Sequence, residues 1–192
     1  MLIVGDVHGH IEKYRFLIRN HQESIQVGDM GIGFVPVPEI HNGWHKWFCG
    51  NHDNRELARK HLNCLGDWGY IENKKIFFVS GADSIDKQHR IPGVSWWADE
   101  ELTHAEFGLV VAKYKEVNPE IVLTHACPDS IKDLVLAGTG LPFKSKTEYY
   151  FEQMFDAHQP KMWIFGHLHK SFDSVVKGTR FICLNELETF KL

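Results

Sequence analysis

Five short apolar runs punctuate the chain: Leu2-Ile3-Val4, Ser24-Ile25-Gln26-Val27, Trp47-Phe48-Cys49, Ile121-Val122-Leu123 and Met162-Trp163-Ile164-Phe165. Their length and continuity predict buried strands rather than half-exposed ones. Further strands are expected over 75–80, 172–176 and 180–184. Ile11, Tyr14, Leu17 and Ile18 recur at helical spacing after the first run, and helices are also expected over 54–62, 103–115 and 147–157. Residues 31–38 mix Gly31 and Gly33 with Pro36 and Pro38 and read as a loop. Strand and helix alternate without a repeat, low-complexity tract or linker, so the expectation is one domain over 1–192 with a layered α/β core around a central cleft.

The residues at the end of each apolar run carry the chemistry. Asp6-Val7-His8, Gly28-Asp29, Gly50-Asn51-His52-Asp53, Thr124-His125 and Gly166-His167-Leu168-His169 all fall where a strand gives way to a loop, the usual position of sites in open α/β sheets. Any one block alone reads more simply as a turn, a cap or a solvated strand face. Together they offer seven ligands: Asp6, His8, Asp29, Asn51, His125, His167 and His169. Four imidazoles, two carboxylates and an amide oxygen suit borderline divalent ions, with Mn the first choice and Fe, Zn or Ni as alternatives, better than Ca or Mg. Two ions roughly 3.5–4 Å apart can clamp a phosphoryl group, and Asp29 is the natural bridge between them. Asp6, His8 and one of the last two histidines then complete one site, with Asn51, His125 and the other histidine on the second.

In content and order the five blocks resemble the calcineurin-like metallophosphoesterases, whose pattern runs D-x-H, G-D, G-N-H-[DE], H and G-H-x-H. The resemblance spans Asp6 to His169. It implies Asp6, His8, Asp29 and His169 on one metal, and Asp29, Asn51, His125 and His167 on the other. Asn51 would also meet the substrate, and His52 would face the leaving group. The implied fold is a four-layer α/β-β/α sandwich of two mixed sheets flanked by helices, with the dimetal site at the strand C-terminal edge. The implied reaction is phosphoester hydrolysis by a metal-bridging hydroxide, with Asp29 and His52 as the catalytic side chains. His52 can alternatively brace Asn51.

The protein Ser/Thr phosphatases of that superfamily carry an acid and arginines where this chain has Met30-Gly31-Ile32-Gly33 and Cys49. A phosphodiester or small nucleotide-type monoester is therefore the favoured substrate. A protein phosphatase or a non-catalytic metal-binding module of the same fold is the alternative. The segment 81–101 looks like one found in small bacterial and phage-encoded members. Within it Arg90 can reach a substrate phosphate and Trp96 or Trp97 can stack on a base, against the plainer readings of a surface ion pair and core packing. Arg55, Lys144 and Lys146 are weaker cations of the same kind. His10, His21, His41, His45, His61, His89, His104 and His158 are expected to be structural or solvated, His10 being the one to watch beside the first block. Asn185 is expected to be a turn residue.

Composition narrows the field only a little. The 192 residues are 43% hydrophobic, ordinary for a globular enzyme, and the net charge of −4 argues against a broad nucleic-acid face while leaving a nucleotide or nucleic-acid end as a partner. Cys49, Cys64, Cys127 and Cys183 lack C-x-x-C spacing and are expected as reduced, buried thiols. No apolar stretch reaches the roughly 18 residues of a membrane helix, and with Met1 five residues before Asp6 no targeting leader is expected. A cytoplasmic protein without a membrane partner is the expectation.

Overall fold

The computed structural model describes residues 1–40, 43–137 and 144–192. Its strands are β1 (Leu2–Val4), β2 (Ser24–Gln26), β3 (His45–Trp47), β4 (Trp68–Ile71), β5 (Ile76–Val79), β6 (Ile121–Thr124), β7 (Met162–Phe165), β8 (Phe172–Val176), β9 (Thr179–Cys183) and β10 (Thr189–Lys191). Its helices are α1 (Ile11–Ile18), α2 (Arg55–Ala58), α3 (His104–Val117), α4 (Asp129–Val135) and α5 (Lys146–Ala157). Both sheets are mixed. One runs β10-β1-β2-β3 with β10 antiparallel, and the other runs β4-β5-β6-β7-β9-β8 with antiparallel edges and a parallel centre.

Side-chain alternation along the strands sorts the core into three dry layers. Ile3 and Ile25 meet Ile76, Phe78, Leu123, Ile164 and Ile182 between the two sheets. Leu2, Val4 and Trp47 pack with Tyr14 and Ile18 of α1 on the outer face of the first sheet. Phe77, Val79, Val122, Trp163 and Phe165 pack on the outer face of the second, with Phe107 and Val110 of α3 and Phe151 and Phe155 of α5. Helix, sheet, sheet and helix therefore stack as the expected four layers. Both long helices on that outer face start from capping boxes, Thr103 with Glu106 and Ser145 with Glu148, which satisfy the first backbone N–H groups reciprocally.

Some boundaries differ from the sequence expectation. The helix expected over 54–62 stops at Ala58, because the chain turns so that Asn63 and Leu65 hydrogen-bond the backbone of Trp47 and extend the β3 ladder. β4, α4 and β10 have no counterpart among the expected elements.

Candidate metal centre

All five ligand blocks emerge beyond the C-terminal ends of strands, from β1, β2 and β3 on one sheet and from β6 and β7 on the other. Asp6, His8, Asp29 and His169 each offer one ligand atom to a cluster in which those atoms lie within 4.8 Å of one another. His169 Nε2 is 3.1 Å from Asp6 Oδ2, while His8 Nε2 is 3.7 Å from Asp6 and 3.8 Å from Asp29. Beside it stand the remaining three predicted ligands. His125 Nε2 lies 3.0 Å from Asn51 Oδ1 and 3.3 Å from Asp29 Oδ1, and its ring centre is 4.9 Å from that of His167. Asp29 touches both groups. All seven sequence-predicted ligands are thus brought together.

The backbone is bent to achieve this. His8, Asp29, His167 and His169 have φ of 46°, 58°, 66° and 49°, in the left-handed region where a non-glycine residue is strained. A Cβ on Gly50 would collide with Asp29 Oδ1, and one on Gly166 with Asp6 Oδ1, so both loops approach the carboxylates more closely than any other residue permits. Asp53 ties the loops together. Its buried carboxylate accepts from the N–H groups of Gly31 (2.7 Å) and Ile32 (2.8 Å) on one oxygen, and of Met30 (3.1 Å) and Gly50 (3.0 Å) on the other.

The electrostatics fit a cation. Burial opposes ionisation of Asp29, yet the neighbouring His125, His52 and His8 hold its carboxyl far below the usual range. Burial likewise disfavours a charged His125, but Asp29 and Asp6 outweigh it and raise the imidazole to about 9. His125 Nδ1 donates to the Val27 carbonyl (2.9 Å), which fixes the ring and leaves Nε2 facing the cluster. Burial beside His125 lowers His167 to about 3, so this imidazole stays neutral. Two buried carboxylates, four imidazoles and one amide oxygen are a donor set for borderline divalent ions.

A profile of calcineurin-like phosphoesterases matches residues 1–171. The chain belongs to that family. Among solved structures it is similar to a candidate 5′-nucleotidase from Staphylococcus aureus, in complex with alpha-ketoglutarate, at a TM-score of 0.54 and 13% identity, over 97% of this chain and 48% of that one. It is also similar to a phosphopantetheinyl hydrolase from Mycobacterium tuberculosis, at a TM-score of 0.50 and 13% identity, over 96% and 89% of the two chains. This chain therefore spans about half the length of the first of these proteins. No curated protein sequence matches it.

Within this calcineurin-like frame, a cavity of about 290 Å³ opens beside the cluster, lined in part by Asp29, Asn51, His52, Arg90 and His167. Arg90 is anchored to Asp86 (2.7 Å), so the surface ion pair is real, but its guanidinium also donates to His52 Nδ1 (2.9 Å). The other arm of the same guanidinium lies 3.3 Å from His52 Nε2, so both ring nitrogens face Arg90. Burial, with Arg90 nearby, lowers the pKa of His52, so the resting imidazole is neutral. Trp97 is buried against Phe34 at 5.4 Å and fills core, and neither Trp97 nor Trp96 lines the cavity. Arg55 is also core, bonded to Asp67 and the Glu100 carbonyl, while Lys144 pairs with Asp129 and Lys146 with Glu101.

Several residues at the site have no signature in the sequence. Lys132 and Glu148 form a buried pair at 2.6 Å on the cavity wall, and Ser84 and Glu100 stand behind Asn51. Only the Ser145-x-x-Glu148 spacing hints that Glu148 has a fixed position. His10 pairs with Glu186 and His45 bonds Ser24, away from the cluster, while His41 lies outside the described residues. Asn185 is a turn residue, its side chain accepting from the Glu186 N–H. Cys49, Cys127 and Cys183 are buried free thiols, whereas Cys64 is only half-buried. No helix among the described residues is long and apolar enough to cross a membrane.

Proposed function

We propose that this chain is a dinuclear metal-dependent phosphoesterase that hydrolyses a small phosphodiester or nucleotide-type phosphomonoester. The observation that carries the reading is the clustering of the seven candidate ligands, four of which (Asp29, Asn51, His167 and His169) line the same cavity as His52. Asp6, His8, Asp29 and His169 would hold one ion, and Asp29, Asn51, His125 and His167 the other, with Mn the first choice. When bound, the ions would supply a nucleophile from water at neutral pH and neutralise phosphoryl oxygens. Asn51 and Arg90 line the cavity that would receive the phosphate, and His52 on the same wall would donate to the departing oxygen.

The charges of the cavity wall favour a monoanion. Arg90 is paired with Asp86, Lys87 with Asp83 and Lys132 with Glu148, so little positive charge remains to grip a dianionic phosphoprotein. A diester asks less of that grip. The test loads the protein with Mn, counts the ions, and compares kcat/KM for bis-p-nitrophenyl phosphate, a 2′,3′-cyclic nucleotide, p-nitrophenyl phosphate and phosphopeptides in wild type and Arg90→Ala. Two ions per chain and diester or cyclic-nucleotide turnover are expected. One ion or none would refute the dinuclear centre, and a phosphopeptide preference that vanishes in Arg90→Ala would overturn the substrate class.

A further inference from the structure

The side-chain amide of asparagine has nearly the same shape with its oxygen and nitrogen exchanged, so its neighbours alone decide which end points where. For Asn51 the choice matters, since only the oxygen can bind a metal ion. Asn51, Ser84 and Glu100 are 3%, 3% and 2% exposed, so protein neighbours dominate the choice. Asn51 Nδ2 donates to Ser84 Oγ at 2.9 Å. Ser84 in turn directs two donors at one carboxylate: its hydroxyl to Glu100 Oε2 at 2.6 Å and its backbone N–H to Oε1 at 3.0 Å. Glu100 is itself anchored through its backbone carbonyl, which accepts from Arg55 at 3.0 Å.

Each step leaves no freedom at the next. A carboxylate only accepts, so the single hydroxyl proton of Ser84 is committed to Glu100. Ser84 Oγ then presents only lone pairs to Asn51, and the amide must turn its nitrogen toward Ser84 and its oxygen toward His125 and the cluster. His125 Nε2, 3.0 Å from Asn51 Oδ1, shares in this arrangement only while that nitrogen carries a proton. We propose that Ser84 and Glu100 are positioning residues that hold the oxygen end of Asn51 at the second metal position. This rests on the reading of Asn51 as a ligand. It also gives the 81–101 segment a role in the metal centre.

Glu100→Gln makes the sharpest variant, because it keeps the shape and reverses the polarity. With the Gln nitrogen against the backbone N–H of Ser84, two donors would clash, so the nitrogen turns to Ser84 Oγ. The freed hydroxyl then donates to Asn51, which favours the flipped amide. The experiment titrates Mn into metal-free wild type, Ser84→Ala, Ser84→Thr, Glu100→Gln and Asn51→Ala by calorimetry. Expected are an unchanged first ion and a second ion weakened about 10–100-fold in Ser84→Ala and at least as much in Glu100→Gln, with Ser84→Thr close to wild type. If Glu100→Gln does not fold, the Ser84 pair decides. A second ion unchanged in Ser84→Ala but lost in Asn51→Ala overturns the relay and spares the dinuclear reading, and equal weakening of both ions in Ser84→Ala overturns it too. Retention of both ions in Asn51→Ala removes the ligand assignment and the relay with it.

Discussion

Asp53→Asn replaces a carboxylate with a group of the same shape in a place where every contact is an N–H donor. Gly31 and Ile32 donate to one oxygen, and Met30 and Gly50 to the other. Whichever way the asparagine amide turns, its nitrogen faces two of these donors, and two buried N–H groups lose their acceptor. At about 1–3 kcal/mol for each orphaned group the loss is about 2–6 kcal/mol. Part is offset, because burial and the nearby Asp29 both disfavour the charge and raise the Asp53 pKa. A net loss of about 2–4 kcal/mol remains, a large fraction of the roughly 5–15 kcal/mol typical of a domain. Urea unfolding of the metal-free protein measures this without interference from ion binding, with the exposed Asp133→Asn as the control for a lost surface charge. Since Asp53 joins the Asp29 loop to the Gly50 loop, the variant should also bind Mn more weakly at both positions. A urea midpoint within error of both wild type and the control would refute the reasoning.

His52→Ala should retain both ions and slow turnover about 10²–10⁴-fold, with a smaller loss for p-nitrophenyl esters, whose leaving group needs no proton. Equal losses for aryl and alkyl esters would make His52 a brace instead of a donor. Metal binding should depend on pH through His125, which in the metal-free protein holds its proton up to about 9 and must release it before Nε2 can bind an ion. Mn affinity should therefore climb with pH toward about 9. Calorimetry at pH 7.5 in buffers of different ionisation heat should find proton release on loading, and none would show that the imidazole is already free.

β1, β6 and β7 are legible because parallel strands buried on both faces read as plain apolar runs, each ending at a motif whose residue types have few other uses together. β3 is instead His45-Lys46-Trp47, an edge strand that meets the expected run Trp47-Phe48-Cys49 only at Trp47. Order along the chain suffices to bring the seven candidate ligands together, since every block leaves its strand at the same edge, whereas the division of His167 and His169 between two ions comes only from the family resemblance. β4 is hidden because Gly69, which lies against the ring of Phe78, breaks the apolar pattern of Trp68–Ile71. β10 is polar, and only its pairing with β1 makes it a strand. The support behind the ligands is illegible for a different reason. Ser84 is 33 residues from Asn51 and 16 from Glu100, and nothing in a serine or a glutamate announces a partner that distant. Asp53 stands inside a recognised block, yet its four backbone donors come mostly from another loop, which no spacing rule predicts.

The apolar layer between the two sheets has a consequence for the metals themselves. Asp6, His8, Asp29, Asn51 and His52 hang from one sheet, and His125, His167 and His169 from the other, with Ile3, Ile25, Phe78, Leu123 and Ile164 filling the gap. Those side chains act as a shim between the jaws of a vice. A methyl group added or removed there should alter the opening between the two banks of candidate ligands, and with it the span available to bound metal, while each of them remains in its own loop. Selectivity for one metal over another can thus be tuned from a part of the protein that no ion or substrate ever touches.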